Sequence, residues 1–355
     1  MPLHNLRPWV AALIFALSPL VTVQLHAGMS VEEVQAFTVF KVMADKGDAI
    51  AQCNVGYCYE HGLGVVMDEA EAVKWYQKSA ELGNAVAQNN LGICYASGMG
   101  VEKDSAAAVK WYQKAAAQGE ASSQYHLGRC FAVGFGVAKD EVSAVKWYRM
   151  AADQGHARAQ ASLGYSYATG RGLPKDDVEA VKWYRKAAEQ GHVIAQHNLG
   201  KCYADGRGVL KDGAESVKWY RKAAEKGYAH SQTNLGMAYL NGAGVVKSDL
   251  EAAKWFHKAA MQGDVRALTN MGVCYYLGGG VAKDEVEAYA YLNLAGVTDE
   301  KARKGLGMLE KEISPDGRLR GQKRTKELQK EIEDRLGTVE ELRKADEREM
   351  TRKGA

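Results

Sequence analysis

The chain lacks an excess of charge of either sign. Its 46 Lys and Arg side chains are nearly balanced by 43 Asp and Glu side chains, so the net charge is only +3 in 355 residues. A dedicated nucleic-acid binder carries a basic domain or stripe that neutralises phosphates. The balance therefore predicts that nucleic acid is not the partner.

The sequence also lacks the short motifs of metal, dinucleotide and nucleophilic sites. It has no C-x-x-C and no H-E-x-x-H, and the pairs Cys58 with His61 and His126 with Cys130 offer two ligands where zinc needs three or four. Glycine pairs such as that in Gly170-Arg171-Gly172 lack the third glycine and the preceding strand of a dinucleotide fingerprint. No nucleophile can be placed beside a base. We therefore predict no metal, no cofactor and no catalytic residues.

Long hydrophobic runs are missing as well, apart from one near the N-terminus. The apolar stretch from Val10 to Val23 follows Arg7 and is shorter than the about 20 residues that a membrane span needs. Ala27 and Gly28 come just after it, which is typical of a signal peptide cut after Ala27. We expect residues 1–27 to be a signal peptide, the protein to be periplasmic or secreted, and no integral membrane span to remain after cleavage.

What the sequence does contain is a strict period. Leu-Gly followed by an aromatic residue recurs, as in Leu91-Gly92 with Tyr95. Six tryptophans fall 36 residues apart, and Tyr291 takes the next place on the same grid: Trp75, Trp111, Trp147, Trp183, Trp219 and Trp255. Such a period indicates one supersecondary unit copied end to end, each copy burying its apolar face against its neighbours. Seven copies are predicted between about residues 48 and 299, and the tryptophans are predicted to pack between copies.

Each copy is predicted to be two helices joined by a tight loop. Apolar residues recur at helical spacing in both halves of a copy, and Gly98 is placed to end the first helix of copy two in a left-handed conformation. A capping residue opens each second helix: Asp68, Asp104, Asp140, Asp176, Asp212, Ser248 and Asp284. Glutamates three residues later are predicted to complete capping boxes: Glu71, Glu179, Glu215, Glu251 and Glu287.

The motifs L-G-x-x-Y, G-x-G-V and K-D-x-x-x-A-x-K-W-Y-x-K-A-A resemble Sel1-like repeats, relatives of the tetratricopeptide repeat, over residues 31–313. The resemblance implies an all-α, right-handed α-solenoid that acts as a protein-binding adaptor, with no catalytic residues in the motif. We accordingly predict a non-catalytic scaffold for a peptide or protein partner. Some exported members of a cysteine-rich branch are linked with cell-wall-like or β-lactam compounds, so a hydrolase or binder of such compounds is the alternative.

The same resemblance places a peptide-binding groove on a concave surface lined by the first helices. Read from the positions that flank Leu-Gly in each copy, the candidate groove residues are Tyr57, His61, Ile93, Tyr125, Arg129, Arg158, Tyr165, His197, Lys201, Met237, Leu240, Arg266 and Tyr276. Aromatic, basic and aliphatic residues mix there, which suits an extended peptide or a protein edge. A row of second-helix lysines, interleaved with glutamates, is interpreted as a solvated face, with docking to an acidic surface as its alternative.

The ends of the array are predicted to be finished by partial repeats. Val31 to Gly47 fits a lone second helix, and Ala302 to Ile313 fits a lone first helix, so both are interpreted as half-repeat caps. Residues 314–355 are rich in charge of both signs and predict a solvated, marginally stable helical tail.

The six cysteines are predicted to stay unpaired. Five of them occupy one grid position: Cys58, Cys94, Cys130, Cys202 and Cys274. Equivalent helices of adjacent copies lie about 8 to 10 Å apart, which is too far for a disulfide. Cys53 is predicted to face the groove and to react readily.

Overall fold

The computed structural model describes residues 29–353, with side chains to residue 338. This part of the chain folds into seventeen α-helices and contains no strand. None of its helices is both long and apolar enough to cross a membrane. The predicted signal peptide lies outside the described residues.

The helices alternate with short loops along the whole described chain. In order they are α1 Val31–Asp45, α2 Ala49–His61, α3 Glu69–Glu81, α4 Ala85–Ser97, α5 Ser105–Ala117, α6 Ala121–Val133, α7 Glu141–Asp153, α8 Ala157–Thr169, α9 Asp177–Glu189, α10 Val193–Asp205, α11 Gly213–Glu225, α12 Ala229–Asn241, α13 Asp249–Ala260, α14 Val265–Leu277, α15 Glu285–Gly296, α16 Glu300–Leu309 and α17 Pro315–Lys353.

The described chain divides into two compact units, and the division falls inside the fourth helix pair. The first unit holds the residues up to Ser166 and the loop Gly170–Pro174, and the second holds Tyr167–Thr169 and Lys175–Arg343. Within the units, consecutive helices pack against one another from α1 to α7 and from α9 to α16, as in an α-solenoid. The predicted fold class, an all-α solenoid of about seven helix pairs, is confirmed.

The second helices start where the capping residues predict, but the capping boxes do not form. Asp68 accepts a hydrogen bond from the backbone N–H of Glu71 at 2.9 Å, and its own N–H donates to the carbonyl of Tyr59 at 2.9 Å. Because that N–H is already satisfied, the Glu71 carboxylate turns instead to Lys74, at 2.8 Å. Glu179, Glu215 and Glu251 pair with the following lysine in the same way, which supports the interpretation of this row as a solvated face.

The glycines of the loops act at two different points. Gly134 ends α6 with φ +75°, as predicted for the first glycine of each pair. Gly136 also has a positive φ, of +66°, and a β-carbon there would overlap the backbone carbonyl of Ser105 at the start of α5. The second glycine therefore lets each loop contact the preceding copy, which the sequence analysis did not anticipate.

Within a copy, the Leu-Gly pair builds the contact between the two helices. Leu127 is fully buried, and Gly128 lies so close to the ring of Tyr148 that a β-carbon would be 2.7 Å from it. Small and large residues thus interlock where α6 meets α7. The same arrangement holds for Gly92 and Tyr112.

The tryptophans link neighbouring copies, as predicted. Trp75 is buried against Ala51 and Val55 beside α1, and Trp111 packs on the core of the preceding copy. The lysine three residues later covers the outer ring face, with Lys78 Nζ 4.0 Å from the Trp75 ring centre. This cation–π contact gives a physical reason for the K in W-Y-x-K.

The C-terminal tail differs from the solvated helix that its composition predicts. Leu328 is fully buried, and Ile332 is only 7% exposed. Both join the core of the second unit around Phe256 and Leu292, and Arg324 Nε donates to Glu287 at 2.7 Å. Apolar residues are few in this charged segment and gave little reason to predict docking, yet Leu328 and Ile332 are enough to dock it.

Candidate functional site

The thirteen candidate groove residues all lie on first helices, from α2 to α14. None of them is buried, and Tyr165 is 44% exposed. The packed faces of these helices are filled by residues such as Leu91 and Leu199, so the candidates lie at the surface.

In the first unit, several candidates form local contacts. Tyr57 stacks on His61 with ring centres 4.0 Å apart, and the Arg129 guanidinium lies 6.0 Å from the Tyr125 ring. Ile93 packs against the core that contains Leu127. These contacts hold the rings in place.

In the second unit, four candidates line one open groove of about 610 Å³. His197 and Lys201 come from α10, Met237 from α12 and Arg266 from α14. Tyr220 of α11 also lines the groove, beside Ala238. A volume of this size accommodates a ligand of several residues, so this groove is the candidate functional site.

The groove carries cationic groups that no carboxylate neutralises. Lys201, Lys211 and Arg266 line it, and none of them has a carboxylate oxygen within 4.0 Å in the described part of the chain. The acidic side chains nearby are engaged, because Asp205 pairs with Arg207 at 3.1 Å and Asp264 with His230 at 2.7 Å. The groove is therefore positively charged.

His197 responds to this environment. Burial, and then electrostatic interaction with His230, Lys201 and Arg266, lower its pKa to about 4. The ring is therefore neutral near pH 7, and its Nδ1 lies 2.9 Å from Ser231 Oγ. His197 contributes shape and one hydrogen-bonding nitrogen to the groove rather than charge.

Two candidates of the second unit do not line the groove. The Tyr276 hydroxyl donates to Glu312 at 2.8 Å, so this ring is held by the segment that follows α16. Leu240 packs against the core of the last helices. Position beside Leu-Gly alone could not reveal the Tyr276 contact, because Glu312 lies outside the repeats.

Sequence reasoning missed several groove residues: Lys211, Ser216, Tyr220, Asn234, Asn241. Lys211 precedes α11 and Tyr220 lies on it, so both fall outside the first helices to which the resemblance pointed. Asn234 stands directly before the Leu of Leu-Gly, a place that Asn90, Asn198 and Asn270 also take. That recurrence was the available signal.

The Ser231–His197 contact has the residue types of a nucleophile and a base, but it recurs as a structural link. Asn89 and Ser123, which occupy the same grid positions three periods earlier, make the equivalent hydrogen bond at 2.9 Å. Ser231 is fully buried. Its hydroxyl therefore joins two adjacent copies and is not presented to the groove.

The cysteines are all buried with free thiols. The prediction that Cys53 reacts readily is wrong. Cys53 packs in the core with Tyr76 and Leu91, and desolvation by burial raises its pKa to about 12, which removes the reactive thiolate at neutral pH. Among the described residues, no three His, Cys, Asp or Glu side chains are grouped as a metal site requires.

Comparison with known proteins identifies the repeat. The Sel1 repeat pattern matches residues 49–84, 85–120, 121–156, 157–192, 193–228, 229–264 and 265–296. These ranges correspond to seven successive helix pairs, from α2 with α3 to α14 with α15. Comparison with curated proteins found no match.

Two solved structures resemble most of the chain. Protein c5321 of uropathogenic Escherichia coli, described as a protective antigen with an SLR fold, is 31% identical, with a TM-score of 0.59 over 88% of this chain and 75% of that one. A Sel1 repeat protein from Oxalobacter formigenes is 34% identical, with a TM-score of 0.62 over 70% of this chain and 96% of that one. The chain belongs to the Sel1 repeat family.

Proposed function

We propose that this protein is a non-catalytic adaptor that binds a peptide or protein segment along its first helices, with the groove of the second unit as the main site. The observation that carries the proposal is that α10, α12 and α14 each contribute a solvent-accessible candidate residue to one cleft. Repeat proteins of this kind present an extended surface because each copy buries only its neighbour contacts. Sel1 repeats typically mediate protein interactions, which supports the same role.

The chemistry of the groove suits a peptide better than a small rigid molecule. Met237 and Ala238 supply apolar area, while Lys201, Arg266 and Asn234 supply charge and hydrogen bonds. Interfaces with peptides combine such apolar and polar anchors over an elongated surface. The groove is open along its length, so a chain can enter and leave it.

An exported hydrolase or binder of cell-wall-like or β-lactam compounds is the weaker alternative. A nucleophilic mechanism needs a hydroxyl beside a base that activates it. The Ser231 hydroxyl is buried between copies, and Ser216, which lines the groove, is buried and hydrogen-bonds Tyr220 instead of a base. The adaptor proposal therefore expects no turnover of such compounds.

Site-specific photocrosslinking in the source cells tests the adaptor proposal. A photoreactive phenylalanine analogue at Met237 is expected to give a discrete protein adduct, and the same analogue at Lys254, on the second-helix face, is expected to give none. Equal adducts from both positions, or adducts from Lys254 alone, would contradict the proposed binding surface.

We further propose that the protein is exported, with residues 1–27 removed as a signal peptide. The apolar run from Val10 to Val23 supports this, and the E. coli relative is described as a protective antigen. N-terminal sequencing of protein from the cell envelope or medium is expected to begin at Gly28. Recovery only from the cytoplasm with Met1 retained would overturn it.

A further inference from the structure

We propose that the groove of the second unit selects an acidic peptide segment, whose carboxylates bind Lys201, Lys211 and Arg266. This inference rests on the proposed peptide-binding function and names the chemical class of its partner. It follows from two features of the groove: its three cations have no carboxylate partner within 4.0 Å among the described residues, and uncharged side chains line the groove with them.

The cations of the groove differ from the second-helix lysines that follow a glutamate. On the second helices, Lys74, Lys182 and Lys218 each reach a glutamate at 2.5 to 2.8 Å. No such partner stands beside the three groove cations within the described residues, although two carboxylates lie close by. Asp205 pairs with Arg207. Asp264 pairs with His230 and also caps α14 by accepting from the Ala267 N–H at 3.0 Å.

An anionic ligand would therefore meet charges that are already in place and unpaired. Lys201 and Arg266 come from α10 and α14, on either side of α12, and Lys211 comes from the loop before α11. Ligand carboxylates spaced along a chain can contact them together, and charge-assisted hydrogen bonds of this type are the stronger ones. The chain spacing of a peptide fits this spread better than one compact anion does.

The neutral part of the groove favours a peptide over nucleic acid. Met237 and Ala238 offer apolar contact, and Asn234 and Asn241 can bond to a peptide backbone. Single-stranded nucleic acid instead requires a continuous basic track with aromatic faces for stacking. The rings that line the groove are Tyr220, His197 and His230, and both histidines are held, by Ser231 and by Asp264.

Selection of random peptides on the full-length protein, followed by fluorescence anisotropy on synthetic winners, tests the inference. We expect selected peptides to be rich in Asp and Glu. The double variant Lys201→Gln with Arg266→Gln should weaken their binding by about tenfold or more, and higher salt should do the same. The matched variant Lys218→Gln with Lys254→Gln, on the paired second-helix face, should bind as the wild type does.

Charge reversal gives the sharper result. Lys201→Glu with Arg266→Glu should exclude acidic peptides and select basic ones, while circular dichroism stays unchanged because both side chains are exposed. Groove-dependent binding of peptides without acidic residues would overturn the acidic preference and leave the adaptor function intact. Peptides unaffected by any groove variant would instead overturn the adaptor function at this site. An oligothymidine 20-mer that binds the groove as tightly as the selected peptides would also overturn the inference.

Discussion

At the scale of single residues, buried glutamines hold adjacent copies together. Gln88 Nε2 donates to the carbonyl of Ala80 at 3.0 Å, and its Oε1 accepts from Gln118 Nε2 at 2.8 Å. Gln124 with Gln154 and Gln232 with Gln262 repeat this relay. In the first copy the relay is broken, because Leu82 stands where the second glutamine belongs.

The break leaves Gln52 Oε1 buried without a hydrogen-bond partner. Leu82 is 59% exposed, so Leu82→Gln can restore the donor without opening a cavity. We expect the free energy of unfolding to rise by about 1 kcal/mol, the usual net contribution of such a bond. Urea denaturation measures it, and the gain should vanish when Gln52 is Ala. A gain that persists in that background would show that the relay is not its cause.

A second residue-scale prediction concerns His126, whose ring stacks on Tyr112 at 5.0 Å. Burial first, and then nearby Arg129, lower its pKa from 6.5 to about 4. The unfolded chain therefore binds this proton at higher pH than the folded protein does, so the stability is present above about pH 6.5 and is lost as the pH falls toward 4.

Other copies carry Asn at this place, as Asn90 and Asn198 show, so His126→Asn should fold. We expect its free energy of unfolding to fall less steeply between pH 6.5 and 4, because the change in slope corresponds to up to about one bound proton. Thermal unfolding across this range measures the slope. An unchanged slope would mean that His126 is not held neutral in the folded state.

At the scale of elements, loop geometry explains why the copies need two glycines and not one. At Gly134 a β-carbon has room, with Lys139 Cβ at 3.4 Å, so only the positive φ opposes substitution. At Gly136 φ is also positive, and in addition a β-carbon would overlap the backbone carbonyl of Ser105. Backbone atoms cannot move aside as a side chain can.

We therefore expect Gly134→Ala to cost about 1 kcal/mol and Gly136→Ala about 3 kcal/mol, because the loop must leave the preceding helix. Hydrogen exchange should report the difference as faster exchange in α5 for Gly136→Ala only. Equal effects of the two substitutions would contradict the assigned contact.

The docking of α17 gives a second matched pair. Leu328 is fully buried, whereas Leu336 is 42% exposed. Leu328→Ala should destabilise the second unit by about 3 kcal/mol, and Leu336→Ala should cost less than about 0.5 kcal/mol. Denaturant titration followed at Trp255 reports both. Similar small losses for the two variants would mean that the segment does not dock.

The sequence allowed prediction of those features that depend on local chemistry repeated in every copy. The helix starts at Asp68 and its equivalents, the left-handed glycines and the inter-copy tryptophans all follow from residue type and period. The capping boxes and the reactivity of Cys53 were wrong because each depends on a neighbouring helix: the Tyr59 carbonyl takes the Asp68 N–H, and Tyr76 and Leu91 bury Cys53. Lys211 was not predicted as a groove residue because it lies in the loop before α11, outside the first helices.

At the scale of the whole molecule, seven Sel1 repeats give a chain whose packed residues recur and whose exposed first-helix residues vary. The recurring positions, from Leu91 to Met271, build the core, so function must come from the variable ones. In the second unit, these bring Lys201, Met237 and Arg266 into one groove. Partner binding at that groove is the central claim.

Hydrogen–deuterium exchange of the full-length protein, with and without a selected acidic peptide at saturation, tests that claim most directly. Binding should slow exchange in α10, α12 and α14, in the first part of α11 and in the loop before it, while α13, which does not line the groove, keeps its rates. Protection confined to the second-helix face around Lys218 and Lys254, or to the first unit alone, would contradict the account.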